Sequence, residues 1–249
     1  MVDTRSLLFS GLGLAVVGVS LGLLGAGGSA IAVPVLVYVA RMNPHEAVAV
    51  SLVLIGAASL LGTYLNARKG LVRWRIAAAF VPSGAVGAWL GSKLSANMSS
   101  RSLLLTFSAL LFVVAGKMLL DKPHDVPGKP SGPVIVVIAA FGIGLLTGLL
   151  GVGGGFVIVP TLIYLAHLPV RESIGTSLVV IAANSMVAFA GHMANREVDL
   201  SVLPVLLAFC LAGIATGTYL CHRTHPSRLK RWFGLLLIGL AVFMIYNNW

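Results

Sequence analysis

The sequence has 249 residues, of which 58% are hydrophobic and only 10% are charged, with a mean hydropathy of +0.99. Soluble domains carry about 25% charged residues, so this composition excludes an ordinary soluble protein and predicts an all-α polytopic membrane protein. The net charge of +10 is compatible with nucleic-acid binding, but the basic residues lie in short loops rather than along one polar face. We therefore expect the chain to be surrounded by membrane lipid and to bind no nucleic acid.

Eight apolar blocks follow one another along the chain, and most are close to the roughly 20 residues that cross a bilayer. They cover residues 7–40, 47–65, 76–92, 103–120, 134–166, 173–192, 200–221 and 232–249. The block 7–40 would form about 51 Å of helix, which is too long for one crossing of an apolar layer about 30 Å thick. Because 134–166 is similarly long, we expect both blocks to break and the chain to form about ten helical segments.

Each long block contains a glycine-rich run, and the two runs are copies of one another. The run Gly22-Leu-Leu-Gly-Ala-Gly-Gly-Ser29 recurs 126 residues later as Gly148-Leu-Leu-Gly-Val-Gly-Gly-Gly155, and a proline follows each run, at Pro34 and Pro160. Glycine tolerates the backbone angles of a helix break, and proline weakens the helix that follows. The pattern predicts a broken helix in each half, at Gly25–Gly28 and at 151–155.

The same offset of 126 residues matches the two halves along their whole length without a gap. Matched pairs include Glu46 with Glu172, Ser59 with Ser185, Gly87 with Gly213 and Gly91 with Gly217. The last two belong to GxxxG pairs, which favour close helix packing. We expect a first transmembrane repeat at 7–120, a proline-rich linker at 121–133 and a second transmembrane repeat at 134–249.

The loop charges predict that the second repeat is inverted relative to the first. If each long block makes an even number of crossings, as two short spans or as a re-entrant hairpin, 12 of the 17 basic residues fall on one side and 5 on the other. Parallel repeats divide them almost evenly, so the positive-inside rule favours inversion, with both termini outside and the basic loops in the cytoplasm. Inverted repeats that meet at broken helices are typical of secondary transporters, whose substrate lies near the midplane.

The glycine breaks are the first candidate binding residues. A helix that restarts inside the membrane directs free N–H groups and a positive dipole end towards a ligand, which favours an anion. The glycines that would allow close approach are Gly27, Gly28, Gly153, Gly154 and Gly155. Tight packing is the alternative explanation for these glycines. We expect the two breaks to lie on either side of a single anion.

Polar stripes on the helices after the breaks are the second group of candidates. Polar side chains inside a membrane are costly and are therefore functional candidates by default, although Ser and Thr also bond to their own helix. The residues that we expect to line a substrate path are Ser51, Thr176, Ser177 and Asn184. Ser59, Ser185 and Asn66 are weaker candidates. Glu46 fits better as part of a helix cap, because Asn43-Pro44-His45-Glu46 has Pro at the first helical position.

No sequence motif indicates catalysis, a metal or a cofactor. All seven acidic residues lie in loops, tails or segment ends, and no Walker loop or HExxH occurs. Cys210 and Cys221 form no CxxC motif and are interpreted as packing residues, with a thiol contact to a sulfur-containing ligand as the alternative. An intramembrane hydrolase needs Ser and His on facing helices, whereas Ser185 and His192 share one helix. We expect no enzyme.

The glycine runs with their prolines, together with Glu172-Ser-Ile-Gly-Thr-Ser-Leu178, closely resemble the TauE/SafE sulfite-exporter family over essentially the whole chain. The first repeat departs from this pattern, since Ala26 and Ser29 replace Val152 and Gly155. The resemblance implies about eight spans in a bacterial inner membrane. It also implies transport of sulfite or an organosulfonate, outward and coupled to an ion gradient. We expect alternating access, a proton as coupling ion and a homodimer as a candidate assembly; an anion channel is the nearest alternative.

Overall fold

The computed structural model describes residues 4–25, 27–95, 98–99, 133–150, 155–193 and 203–224, with isolated positions between 102 and 116 and between 235 and 246. Eight helices and no strand occur within the continuous ranges, so the all-α prediction is confirmed there. The helices are α1 (Thr4–Leu24), α2 (Gly27–Pro34), α3 (Pro44–Ala67), α4 (Trp74–Ser95), α5 (Pro133–Leu150), α6 (Gly155–Tyr164), α7 (Val170–Met193) and α8 (Leu203–Arg223). Apart from Pro133, the predicted linker lies outside the described residues.

Three of the described helices, α3, α7 and α8, are long and apolar enough to cross a membrane. Shorter apolar stretches occur in α1, at Ser10–Leu24, and in α5, at Ile135–Leu150. Helices satisfy their own backbone hydrogen bonds, which is why apolar helices are suited to a bilayer. The fold is therefore that of a polytopic helical membrane protein.

The helix boundaries repeat along the chain at the spacing of the sequence repeat. The α1 helix ends at Leu24 and α5 ends at Leu150, while α3 and α7 each have 24 residues and begin 126 positions apart. The first break occurs where predicted, because Gly25 has φ +68° and separates α1 from α2. Such a dihedral angle is favourable for glycine. In the second half, helix ends at Leu150 and resumes at Gly155, and 151–154 lie outside the described residues.

The first long block folds back on itself as a hairpin. Gly28 lies against the backbone of α1 at Val17, and a Cβ on Gly13 would be 2.8 Å from the side chain of Val35, so α1 and the returning arm are antiparallel. The returning arm consists of α2 and a π-helical turn at Val35–Val39. Its 13 residues measure about 20 Å, which is shorter than a full span. Of the two predicted alternatives, the geometry favours the re-entrant hairpin.

The two halves pack against each other through two pairs of helices. The first-half helix α1 packs against the second-half helix α8, and α4 packs against α5. Glycines on each side make these contacts close. A Cβ on Gly22 would lie 2.5 Å from the Ile214 carbonyl oxygen, and one on Gly148 would collide with the carbonyl oxygen of Ala88. Helices that approach to backbone contact are typical of GxxxG interfaces in membranes. The duplicated glycines therefore join one half to the other.

The equivalent helices α3 and α7 cross at the centre of the protein and run antiparallel. Gly56 of α3 lies opposite Ser185, Gly62 lies opposite Leu178, and the Cβ of Asn66 lies opposite Gly175. Two equivalent helices that run in opposite directions are related by an axis perpendicular to them. Inverted repeats predict this geometry, while the orientation of the halves relative to a membrane stays a prediction.

Candidate substrate site

The crossing of α3 and α7 contains two equivalent hydroxyl groups that have no hydrogen-bond partner among the described residues. Ser59 and Ser185 are both completely buried. A Cβ on Gly56 would be 3.5 Å from the Cβ of Ser185, and Ser59 lies about one helical turn farther along α3. The two serines therefore belong to one polar centre where the two halves meet.

Asn184, beside Ser185 on α7, places an amide group on the neighbouring face of the same helical turn, towards α4. The side chain is completely buried, and neither Oδ1 nor Nδ2 has a hydrogen-bond partner within the described part of the chain. It faces Gly84 of α4, where a Cβ would lie 2.8 Å from Oδ1. Buried polar atoms are nearly always paired, and an unpaired one costs about 1–3 kcal/mol. An amide in this condition is a strong candidate for binding a ligand.

The polar centre carries no charge of its own. The stretches 47–67, 76–92 and 173–193, which include the crossing, contain no Asp, Glu, Lys or Arg. The available groups are hydroxyls, each of which donates one hydrogen bond, and an amide, which donates two and accepts through its oxygen. Neutral donors of this kind are suited to a small polar ligand with several acceptor oxygens.

The other predicted polar residues are engaged in the structure. The Ser51 hydroxyl donates to the Val48 carbonyl at 2.7 Å, and the Ser177 hydroxyl donates to the Ile174 carbonyl at 2.8 Å. Both bonds are to the residue's own helix, which was the alternative in the sequence, but the Ser177 hydroxyl also lies 3.5 Å from the Gly25 carbonyl oxygen, so this part of the stripe contacts the first break. Thr176 Oγ1 instead accepts a hydrogen bond from the backbone N–H of Arg73 at 3.0 Å. These residues remain on the predicted stripe but not at its unpaired centre.

Gly25 at the first break and Gly148, on the flank of the second, lie near opposite ends of α7. Gly25 packs against Ile174, where a Cβ would be 3.0 Å from its Cα. The carbonyl of Gly148, just before the second break, lies 3.0 Å from Nε2 of His192. Ile174 and His192 are separated by about 27 Å along α7, so a small anion beside the first break does not reach this flank. The first break lies at the far end of α1 because this helix has 21 residues and is about 31 Å long.

The individual break glycines have different surroundings. Gly27 begins α2, while Gly28 is buried against α1 and contributes to hairpin packing. Gly155 is buried at the start of α6, and Gly153 and Gly154 lie outside the described residues. Two glycine breaks on either side of one central anion therefore stay a prediction, and the unpaired polar groups of Ser59, Asn184 and Ser185 are additional candidates. The glycines remain candidates for separate contacts near the two ends.

An ion pair fastens the loop after α3 to the first turn of α7. Nε and Nη2 of Arg73 donate to the two carboxylate oxygens of Glu172, each at 2.7 Å. The hydrogen bond and the negative charge of Glu172 raise the pKa of Arg73 above its ordinary value. In the other half the matching positions hold Glu46 and Asp199, which cannot form an ion pair with each other. The charge pattern of this connection is therefore present in one half only.

The first turn of α3 is capped as its sequence predicts. The side chain of Asn43 accepts a hydrogen bond from the backbone N–H of His45 at 3.2 Å, and Pro44 occupies the first position of the helix. Glu46 lies in that first turn, where its negative charge is favourable beside the N-terminal end of the helix dipole. The interpretation of Asn43 as the helix cap, with Pro44 at the first helical position, is confirmed, while a reciprocal bond from Glu46 stays a prediction.

A polytopic helical fold in two matching halves, with uncharged polar groups buried where they cross, is typical of membrane transporters. The chain matches the family described as Sulfite exporter TauE/SafE over residues 10–244 and belongs to that family. A probable membrane transporter protein from Xylella fastidiosa (strain 9a5c) is 34% identical over 94% of this chain and 92% of its own length. The probable membrane transporter protein YdhB from Bacillus subtilis (strain 168) is 28% identical over 81% and 83%. No solved structure matches the chain.

Proposed function

We propose that this protein is a secondary transporter that exports a small sulfur-containing oxyanion, sulfite or an organosulfonate, across a bacterial inner membrane. The observation that supports the proposal best is the set of unpaired polar atoms on Ser59, Asn184 and Ser185. Each oxygen of such an anion accepts hydrogen bonds, so binding would satisfy donors that are costly when unpaired. The family membership supports an anion of the sulfite class.

The absence of charged residues from the central stretches favours an anion with a single negative charge. Moving an ion from water into a low-dielectric site is costly unless charges or hydrogen bonds compensate, and the cost rises steeply with charge. Sulfonates carry one charge, and sulfite carries one when it is protonated. A proton bound to the substrate itself would travel with sulfite and lower its charge to one without an acidic residue in the centre, and an interior-negative membrane potential would favour outward movement of this anion.

Alternating access requires each end of the protein to open in turn while the other end is closed. The Arg73–Glu172 ion pair and the hydrogen bond from Arg73 to Thr176 hold one end together. Opening at this end would have to break these contacts, which makes them a gate in the proposed cycle. Because the matching residues of the other half in sequence, Glu46 and Asp199, are both acidic, the other end would be held by different contacts.

Transport by purified protein in proteoliposomes tests the proposal directly. We expect saturable uptake of sulfite and methanesulfonate, stimulation by the same anion on the opposite side, and weak uptake of the divalent anion sulfate. A pH gradient that is acidic on the side where sulfite is loaded should accelerate sulfite transport. Flux that does not saturate and shows no counterflow would identify a channel, and no flux of any sulfur anion would contradict the proposal.

Ser185→Ala and Thr147→Val form a matched pair for locating the site. The Ser185 hydroxyl has no partner among the described residues, whereas the Thr147 hydroxyl donates to the Ile143 carbonyl at 2.9 Å. Losing a hydrogen bond to a charged ligand costs about 1.5–3 kcal/mol, so Ser185→Ala should raise the half-saturating anion concentration about 10- to 150-fold. Thr147→Val should retain the wild-type value. Equal effects of the two variants would place the substrate elsewhere.

A further inference from the structure

A second group of polar side chains lies where the start of α7 meets the end of α8. Nη2 of Arg171 donates to the backbone carbonyls of His222 at 3.2 Å and Thr224 at 3.3 Å. The last carbonyls of a helix lack partners within that helix and carry its negative dipole end, so a guanidinium is stabilised there. These contacts fix the position of Arg171 relative to the last turn of α8.

Two buried nitrogens in this group have no hydrogen-bond partner among the described residues. They are Nε of Arg171 and Nε2 of His222. Nε of a guanidinium group donates a hydrogen bond and cannot accept one. A buried charged donor without a partner is costly. The arrangement therefore lacks a hydrogen-bond acceptor, and a ligand with acceptor oxygens would supply it.

The surroundings are positively charged. Lys69, in the loop after α3, and Arg171 both exert positive charge on the side chains of His222 and Cys221. The acid next to Arg171 in sequence is Glu172, and both its carboxylate oxygens already accept hydrogen bonds from Arg73. The missing hydrogen-bond acceptor is therefore best supplied by a bound anion and not by a side chain of the described residues.

We propose that Arg171, His222 and Lys69 form a binding site for a tetrahedral oxyanion of the phosphate or sulfate type. Acceptor oxygens on one small anion would pair with Nε of Arg171 and, in the tautomer that carries its proton on Nε2, with His222, and Lys69 would add charge attraction. Arg171 precedes Ser185 by about 21 Å along α7, so this site is separate from the polar centre. Both the phosphate of an acidic lipid headgroup and a free anion have the required chemistry.

Thermal unfolding of the full-length protein distinguishes these two sources. Delipidated protein in a neutral detergent is titrated with inorganic phosphate at constant ionic strength, and protein in phosphatidylcholine nanodiscs is compared with and without phosphatidylglycerol. A ligand that binds only the folded state raises the midpoint temperature by mass action. We expect a rise of several degrees in at least one arm. A response to phosphate identifies a free-anion site, and a response to phosphatidylglycerol alone identifies a headgroup site.

Two substitutions and a matched control assign the response to this site. His222→Phe removes Nε2 but keeps the backbone carbonyl to which Arg171 donates, so the end of α8 should remain folded. Arg171→Gln removes the guanidinium. The control, Arg223→Gln, removes an equal charge from the same helix end, where the exposed guanidinium lies over the Tyr219 ring at 4.6 Å.

We expect His222→Phe and Arg171→Gln to lose most of the midpoint shift, and Arg223→Gln to keep it. If Arg171→Gln does not fold, the comparison of His222→Phe with Arg223→Gln decides. A wild-type protein that responds in neither arm, or a His222→Phe variant that responds as strongly as wild type, would overturn the proposal. The measurement does not depend on transport, so it can fail or succeed independently of the proposed function.

Discussion

Replacing Asn184 with leucine separates a ligand-binding amide from a structural one, because leucine is similar in size but has no polar atom. The wild-type side chain is completely buried, and both polar atoms of its amide lack partners among the described residues. The empty protein should therefore carry a cost of about 1–3 kcal/mol that leucine removes. For a chain of this length, that relief corresponds to a rise of about 2–12 °C in the midpoint of thermal unfolding.

Transport should change in the opposite direction from stability. If the amide donates to the anion, Asn184→Leu loses at least one hydrogen bond to a charged acceptor, worth about 1.5–3 kcal/mol. The apparent affinity for the anion should then fall about 10- to 150-fold. The anion should also stabilise the variant less than the wild-type protein, because binding only to the folded state is what raises the midpoint.

Asn66→Leu is the matched control, since it makes the same substitution at a buried asparagine whose amide is paired. Asn66 is 1% exposed, and its Nδ2 donates to the Gly62 carbonyl at 2.8 Å. Loss of that bond should lower the free energy of unfolding by about 0.5–1.5 kcal/mol and leave anion affinity intact. The assays are thermal unfolding in detergent and uptake by proteoliposomes. A destabilised Asn184→Leu, or one with wild-type affinity, would refute the reasoning.

Two further predictions concern packing and gating. Gly148→Val should lower the free energy of unfolding by at least about 1–3 kcal/mol, because its Cβ collides with the Ala88 carbonyl. Gly142→Ala, whose Cβ meets nothing within 4 Å, should be neutral or stabilising by up to about 1 kcal/mol; thermal unfolding measures both. Glu172→Gln should open the fastened end, so that Cys221, which is 2% exposed, reacts faster with a thiol reagent. An unchanged labelling rate would argue against a gate.

The helix break, the helix ends and the helix cap could be predicted from the sequence because each depends on residues close together in the chain. The break at Gly25 follows from the freedom of glycine to adopt a positive φ. The helix ends at Leu24 and Leu150 follow from the repeated glycine runs. The cap at Asn43 depends on three neighbouring residues. Such effects act within one or two helical turns, which is the range that a single sequence reveals.

Contacts between distant residues could not be predicted in the same way. The ion pair between Arg73 and Glu172 joins residues 99 positions apart, and nothing in either segment identifies its partner. Ser185 is a weaker candidate than Ser177 in the sequence, where either hydroxyl can bond to its own helix. In the structure only Ser177 does so, at 2.8 Å from the Ile174 carbonyl. The difference depends on side-chain orientation, which a sequence pattern does not contain.

Sequence differences between the two halves would make the two ends of the transporter unequal. Ser59 and Ser185 are equivalent, but the counterpart of Asn184 is Ala58. A single anion at the crossing would therefore be held asymmetrically, more strongly by α7 than by α3. Two identical halves would make the two end-open states equal in energy, whereas the Arg73–Glu172 pair favours closure at one end.

If the basic loops face the cytoplasm, as the positive-inside rule predicts, the fastened end is the cytoplasmic one. A ligand shifts a conformational equilibrium only by its difference in affinity between the two states. The cytoplasmic end must therefore open before an anion from the cytoplasm can bind. The Arg73–Glu172 ion pair determines how often this end opens. Weakening the pair with Glu172→Gln should accordingly speed export most at low internal anion concentration, where opening towards the cytoplasm limits loading.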